Sequence, residues 1–250
     1  MGVSLLEEST VNKRFLFPRA KHFKNPYWLE SGKYKLSCYK QMNHPEEKML
    51  LVFHASSEIV ADYLDVFVKE IDKMGYNVMI AEYRGYSLSE GFATLINILE
   101  DMEIIINGSK TGHEKIVVFG RSLGSIYAIN AVKRFKKIKG LIIDNGIADF
   151  YERLSRRVSP EDIDTTEKKL RTEVLKYFNI QKMLKAFKGN TLIMHSNEDR
   201  IIPVEHAKKL YSWANEPKLL KLFSEGEHNA LHEFNKESYF RTIKMFMESI

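Results

Sequence analysis

A chain of 250 residues with 44% hydrophobic content is long enough to bury a sizeable core, and chains of this size that alternate strands and helices commonly form one domain. Its single cysteine, Cys38, excludes an intramolecular disulfide, and no C-x-x-C pair or thiolate-stabilising cluster surrounds it, which points to a reducing compartment. Net charge is +5, from 38 Lys and Arg against 33 Asp and Glu; the excess is spread along the chain without a helix-turn-helix, zinc-finger or RNP signature, so nucleic acid is not an expected partner.

The first ten residues carry Glu7 and Glu8 and lack the basic start and apolar run of a signal peptide, and no later run approaches a membrane span. Leu6 breaks the myristoylation pattern that would start at Gly2. The expectation is a cytoplasmic protein without stable membrane insertion, acting on a small-molecule or acylated substrate, its oligomeric state open.

Residues 15–17 read as a short strand and 34–39 as another, an antiparallel edge ahead of the main repeat. From residue 49 onward, apolar runs at 49–55, 77–81, 115–119, 140–143, 191–195 and 218–223 alternate with longer amphipathic stretches, the pattern of βα units around a mainly parallel, doubly wound sheet. Within 58–74, Ile59, Tyr63, Val66, Phe67 and Ile71 fall at helical spacing, and 95–106 and 123–135 repeat the pattern. Arg134, Lys136 and Lys137 close the third of these helices, where cations favourably face the helix dipole, so this basic cluster reads as a helix end.

Between about 150 and 189 the rhythm breaks. The segment is rich in charge, carries no strand pattern and suggests two helices around Ser159-Pro160. It reads as a small helical cap, or as an elongated crossover helix that would leave the site more open. With no repeat, low-complexity tract or Gly/Ser linker, residues 1–250 are expected to form a single domain with this cap.

The strongest chemical signal is Gly120-Arg121-Ser122-Leu123-Gly124, directly after the strand 115–119 and directly before a helix. A tight strand-to-helix turn there raises Ser122 above the sheet, with glycines where a Cβ would clash, and aims the helix dipole and the Leu123 N–H at a developing oxyanion. A nucleophilic serine needs a base and an orienting acid, which in this chain order follow later strands. Asp199 lies in Ser196-Asn197-Glu198-Asp199-Arg200-Ile201-Ile202-Pro203 after the strand 191–195, with Glu198 a rival acid. His228 follows the strand 218–223, where Gly226 lets the loop turn back, and its imidazole can take the Ser122 proton near neutral pH. His232 stands four residues on, but no H-E-x-x-H or third ligand accompanies it, so no metal is expected. No Walker A or G-x-G-x-x-G fingerprint suggests a nucleotide or redox cofactor.

Together these residues resemble the α/β-hydrolase superfamily from residue 49 to the C-terminal helix. Glu82-Tyr83-Arg84-Gly85-Tyr86-Ser87-Leu88-Ser89-Glu90-Gly91 is similar to the D-Y-R-G-x-G-x-S-x-G stretch of its acyl-protein thioesterase-like and serine-aminopeptidase-like branches, and residues 195–203 are similar to their H-G-x-x-D-x-x-V-P, with Ser196 for glycine. The resemblance implies an α/β-hydrolase fold and hydrolysis of a carboxylic ester or thioester through an acyl-enzyme on Ser122, without cofactor. It also implies an oxyanion hole formed by the backbone N–H groups of Ser56 and Leu123. Here the sequence departs from the family: His54-Ala55-Ser56-Ser57 has alanine where glycine is usual, which keeps open a non-catalytic binding protein of this fold. An exopeptidase is a second alternative, with Arg121, Arg156 and Arg157 as candidates to hold a peptide terminus. Related palmitoyl-protein thioesterases carry an N-terminal cysteine cluster that this chain lacks, which argues against that route to a membrane. Tyr151, Leu154, Tyr177 and Phe178 are candidates for lining an apolar acyl channel from the cap.

Overall fold

The structure is a computed structural model and describes residues 4–250. Eight strands, β1 (Tyr27–Ser31), β2 (Tyr34–Gln41), β3 (Met49–Phe53), β4 (Asn77–Ile80), β5 (Ile116–Arg121), β6 (Gly140–Asp144), β7 (Asn190–Ser196) and β8 (Lys218–Phe223), form one sheet in the order β1-β2-β4-β3-β5-β6-β7-β8. The β1–β2 hairpin and the β2–β4 pair are antiparallel, and every later pairing is parallel. This is the α/β-hydrolase fold.

Strands β3 to β6 are buried along their whole length, because helices cover both faces of a parallel sheet and leave no polar side to alternate with. The strand period of two then sorts side chains between two cores. Leu51, Met79, Val118, Leu141 and Ile193 join the larger one, and Leu50, Val78, Val117, Ile142 and Leu192 the smaller. The larger core is covered by α4 (Asn97–Gly108), α5 (Gly124–Arg134), α8 (Ile180–Ala186) and α9 (Glu205–Trp213), and the smaller by α3 (Phe67–Lys73) and α11 (Lys236–Glu248). The short helices α2 (Val60–Tyr63) and α10 (Leu231–Phe234) sit in loops at the carboxyl ends of strands. No helix among the described residues is long and apolar enough to cross a membrane.

Between β6 and β7 lie α6 (Phe150–Ser155), a 3-10 turn (Pro160–Ile163), α7 (Glu167–Tyr177) and then α8. Each α-helix has a polar start: the side chains of Asp149, Thr166 and Asn179 accept from the backbone N–H groups of Glu152, Lys169 and Lys182, satisfying donors that a helix N-terminus leaves free. The expected pair of helices is thus three and a turn.

Three expectations are corrected at the amino-terminal side. Phe15 ends a helix, α1 (Ser9–Phe15), and Leu16 and Phe17 belong to no strand; Phe15 is held edge-to-face on Phe150 with ring centroids 5.5 Å apart, a tertiary contact that three residues cannot announce. Strand β1 was unanticipated: it is an edge strand with Leu29 and Ser31 inward and Trp28 and Glu30 exposed, too short to show its alternation clearly. The helix expected over 58–74 breaks at Leu64 to Val66 into α2 and α3.

Candidate active site

Ser122 stands between the last residue of β5 and the first of α5 with φ +51, a left-handed conformation costing a non-glycine residue about 1–3 kcal/mol. The turn is held by the Ser122 N–H donating to the Asp144 carbonyl at 2.9 Å. Neither flanking glycine has room for a side chain. A Cβ at Gly120 would lie 2.6 Å from Ser125 Cα and one at Gly124 2.0 Å from the Phe53 carbonyl oxygen, so β3, β5 and α5 approach only because both are glycine.

The acid and base arrive from the carboxyl ends of β7 and β8. Asp199, in the turn after β7, accepts through Oδ1 from the Ile201 and Ile202 N–H groups at 2.9 and 2.7 Å. Its Oδ2 is 2.6 Å from His228 Nδ1. A carboxylate can only accept, so the imidazole proton sits on Nδ1 and Nε2 is left as acceptor; Ser122 Oγ donates to it at 2.8 Å. All three residues are buried, whereas the rival Glu198 is exposed. Gly226 takes φ +88 in the turn before His228, and Asn145, just past β6, donates through Nδ2 to the His228 carbonyl at 2.9 Å. A hydroxyl so placed can pass its proton to the imidazole as it attacks a carbonyl carbon, while the carboxylate holds the tautomer and stabilises the imidazolium.

Ser56 and Leu123 both border the cavity over Ser122, and neither backbone N–H donates to a protein acceptor among the described residues. Ala55 is not among the residues of positive φ, so alanine there imposes no left-handed backbone strain on this loop. The loop is braced instead by side chains. Ala55 N–H donates to Glu58 Oε2 at 2.9 Å, the Ser56 carbonyl accepts from Tyr86 Oη at 2.7 Å, and the His54 carbonyl accepts from Tyr83 Oη at 2.8 Å. Tyr83 and Tyr86 belong to the Glu82-to-Gly91 stretch, which supports the loop from below. His54 is wholly buried with Nε2 2.8 Å from Glu82 Oε1; burial opposes its charged form, but Glu82 outweighs this and holds the pKa above the usual histidine value.

Arg121 is structural. Its guanidinium is buried, 2.9 Å from Glu58 and 3.7 Å from Asp144, and donates to the Asn229 carbonyl at 2.6 Å. It therefore ties the Ser56 loop, the end of β6 and the His228 loop to one another. Burial opposes its charge, but the facing Glu58 and Asp144 hold the pKa high. Burial likewise opposes ionisation of Glu58, yet Arg121 brings its pKa below the usual carboxylate range.

The cavity above Ser122 is about 160 Å³. Tyr151, Leu154, Tyr177 and Phe178, expected as channel lining, do not border it: Leu154 and Phe178 are buried in the larger core and Tyr151 and Tyr177 pack against it, with Phe178 stacked edge-on to Phe150 at 5.0 Å. Packing the helices onto the sheet consumed these apolar side chains. The cavity wall from this segment is Arg153 and Arg157 instead, and Phe15 and Phe17 close it from the amino-terminal side. Of the arginines considered for a peptide terminus, Arg121 is committed to its acids and Arg156 pairs with Glu152 at 2.9 Å; only Arg157 reaches the cavity.

No group of three or more potential metal ligands occurs among the described residues. His232 packs beside Arg121, its Nδ1 3.4 Å from the guanidinium, and burial followed by that positive charge pushes its pKa down to about 4.

An eight-stranded, mostly parallel sheet with Ser122 at the β5–α5 turn and Asp199 and His228 in the loops after β7 and β8 places the chain in the α/β-hydrolase superfamily. Within it, the chain belongs to the prolyl oligopeptidase family, whose profile matches residues 68–250. YfhR of Escherichia coli (strain K12) is 27% identical over 167 residues, covering 64% of this chain and 56% of that protein; the chain thus spans little more than half of that relative. Among solved structures, the esterase Pf2001 of Pyrococcus furiosus superposes with a TM-score of 0.73 at 16% identity, covering 94% of this chain and 98% of that one. Est1E from Butyrivibrio proteoclasticus, solved with ferulic acid bound, gives 0.73 at 17% identity, covering 89% and 98%. At such identities the likeness is one of fold.

Proposed function

We propose that the protein hydrolyses a carboxylic ester or thioester through an acyl-enzyme on Ser122, with His228 as general base and Asp199 as the residue that orients it. The observation that carries this reading is the chain of short contacts, Ser122 Oγ to His228 Nε2 at 2.8 Å and His228 Nδ1 to Asp199 Oδ2 at 2.6 Å. Ser122 attacks the carbonyl carbon as its proton moves to Nε2, and the free N–H groups of Ser56 and Leu123 receive the negative charge on the oxygen. The imidazolium then protonates the leaving alkoxide or thiolate, and a water activated by the same imidazole releases the acid. The helical segment 150–189 acts as a cap on a single domain, contributing one wall of the cavity.

A fluorophosphonate probe tests the reading directly. Stoichiometric labelling is expected, with the adduct located at Ser122 by peptide mass spectrometry and absent from Ser122→Ala, whose kcat on a p-nitrophenyl ester should fall by about 10⁴-fold or more. Well-folded protein that takes no label would remove the proposal in favour of a binding role.

Family membership favours one second reading, cleavage of a peptide bond by the same serine. Turnover of aminoacyl or prolyl anilides at rates matching those of simple acyl esters would select it.

A further inference from the structure

Two arginines, Arg153 and Arg157, face the cavity over Ser122 and His228 from one side. Arg153 is only 7% exposed, yet its guanidinium makes no hydrogen bond or ion pair among the described residues. None of its nitrogens is among the buried polar atoms left without a partner, so the fork opens onto the cavity, where an anion can reach it. The acids around it are engaged elsewhere: Asp199 uses both oxygens on Ile201, Ile202 and His228, and Glu152 faces Arg156, His206 and Lys209.

Arg157 is fixed in place without being neutralised. Its guanidinium lies 5.2 and 5.4 Å from the ring centres of Phe15 and Phe17, and Nη1 donates to the Arg14 carbonyl at 3.0 Å. Arg14 in turn donates to the Arg157 carbonyl at 2.7 Å and pairs with Asp162, so the amino-terminal helix and the cap clip this side chain between them. Burial, and then the like charges of Arg157 and Arg156, hold the Arg153 pKa below its ordinary value. The site is thus preorganised positive charge that no acidic side chain pairs with among the described residues.

We propose that Arg153 and Arg157 form an anion-binding subsite of the Ser122 cavity, and that the protein's substrates are esters or thioesters bearing a carboxylate that this subsite holds. The inference rests on the acyl-hydrolase reading of Ser122 and adds the substrate class. Planar guanidinium forks match the two oxygens of a carboxylate, and a cavity of about 160 Å³ leaves room for a short chain between the carboxylate and the scissile carbonyl. The carboxylate can belong to the acyl side, as in a half-ester of a dicarboxylic acid, or to the alcohol side, as in the acylated hydroxyl of a hydroxy acid.

The test compares charged and neutral versions of each arrangement by pH-stat: monomethyl glutarate against dimethyl glutarate, and O-acetyl-lactate against its methyl ester. The wild-type protein should prefer one charged ester over its neutral partner by at least tenfold in kcat/KM, and the pair that shows the preference identifies the side. Arg153→Gln and, separately, Arg157→Gln at a partly buried position should bring that ratio towards one mainly by raising KM for the charged ester, with Arg153→Lys retaining part of it. A fluorophosphonate-reactive Ser122 with equal kcat/KM for both members of both pairs would overturn the anion subsite and leave the hydrolase reading intact. If Ser122 takes no probe, the hydrolase reading fails on its own. Calorimetric titration with glutarate then decides the subsite: binding lost in Arg153→Gln supports it, and no binding to the wild type overturns it.

Discussion

Arg121 occupies the variable position before the serine in Gly120-Arg121-Ser122-Leu123-Gly124, and its contacts reach three loops that must keep register for Ser122, His228 and the Ser56 N–H to meet. Removing its charge leaves Glu58 and Asp144 facing each other in a buried site. Arg121→Gln is therefore expected to destabilise the fold by about 3–5 kcal/mol and to lower kcat more than it raises KM, because the loops it ties carry the reacting groups. Arg121→Lys keeps a positive charge but not the fork, so it should retain more stability while losing the Asn229 contact. Urea unfolding and steady-state kinetics on one p-nitrophenyl ester read both effects, and a stable, fully active Arg121→Gln would show that the loops hold themselves.

At the scale of elements, the β5–α5 turn is an assembly whose two glycines are demanded by different neighbours. Gly124→Ala places a methyl group 2.0 Å from a main-chain oxygen of β3, which no rotamer can relieve. The variant should lose about 3 kcal/mol or more of stability in urea unfolding and bind fluorophosphonate far more slowly, since α5 must move away and carry the Leu123 N–H with it. Wild-type stability in that variant would mean that β3 and α5 are not packed as described. The same turn was plain in the sequence because its requirements are local: a strand, two glycines and a helix within ten residues. The six apolar runs from residue 49 onward were legible for a similar reason, since buried parallel strands read as continuous apolar segments. What stayed hidden depended on distant partners. Phe15 and Phe17 gained a role only by meeting Arg157, 142 and 140 positions along the chain. Tyr151, Leu154, Tyr177 and Phe178 were apolar for the sake of the core, and Arg153 lies in a segment whose sequence shows only an excess of charge. The four-residue spacing of Arg153, on α6, and Arg157, just past its end, was the one signal available for the subsite.

For the molecule as a whole, several histidines are folded away in forms that resist protonation, and this sets an acid limit on stability. Burial lowers the pKa of His195, His206 and His232, the last to about 4. His206 accepts from the Ala148 N–H at 3.0 Å, a bond that its protonation would break. The unfolded chain, with ordinary histidine values near 6.5, binds more protons than the native one below that pH, so stability falls as pH falls. His54 works in the opposite sense: its pKa is raised by Glu82, so its contribution is full below about 6.5 and lost as pH rises through the higher native value. His195, His206 and His232 each therefore draw stability down on the acid side. For His232 the window runs from about 6.5 down to about 4, and the step from pH 7 to pH 5 should cost about 1–2 kcal/mol through this residue. His232→Gln, which cannot take the proton, is expected to remove that share, so that its unfolding free energy in urea declines less between pH 7 and pH 5 than that of the wild type. Parallel pH profiles for the two proteins would mean that His232 is protonated as readily in the fold as outside it, and that the guanidinium of Arg121 does not weigh on it as the geometry requires.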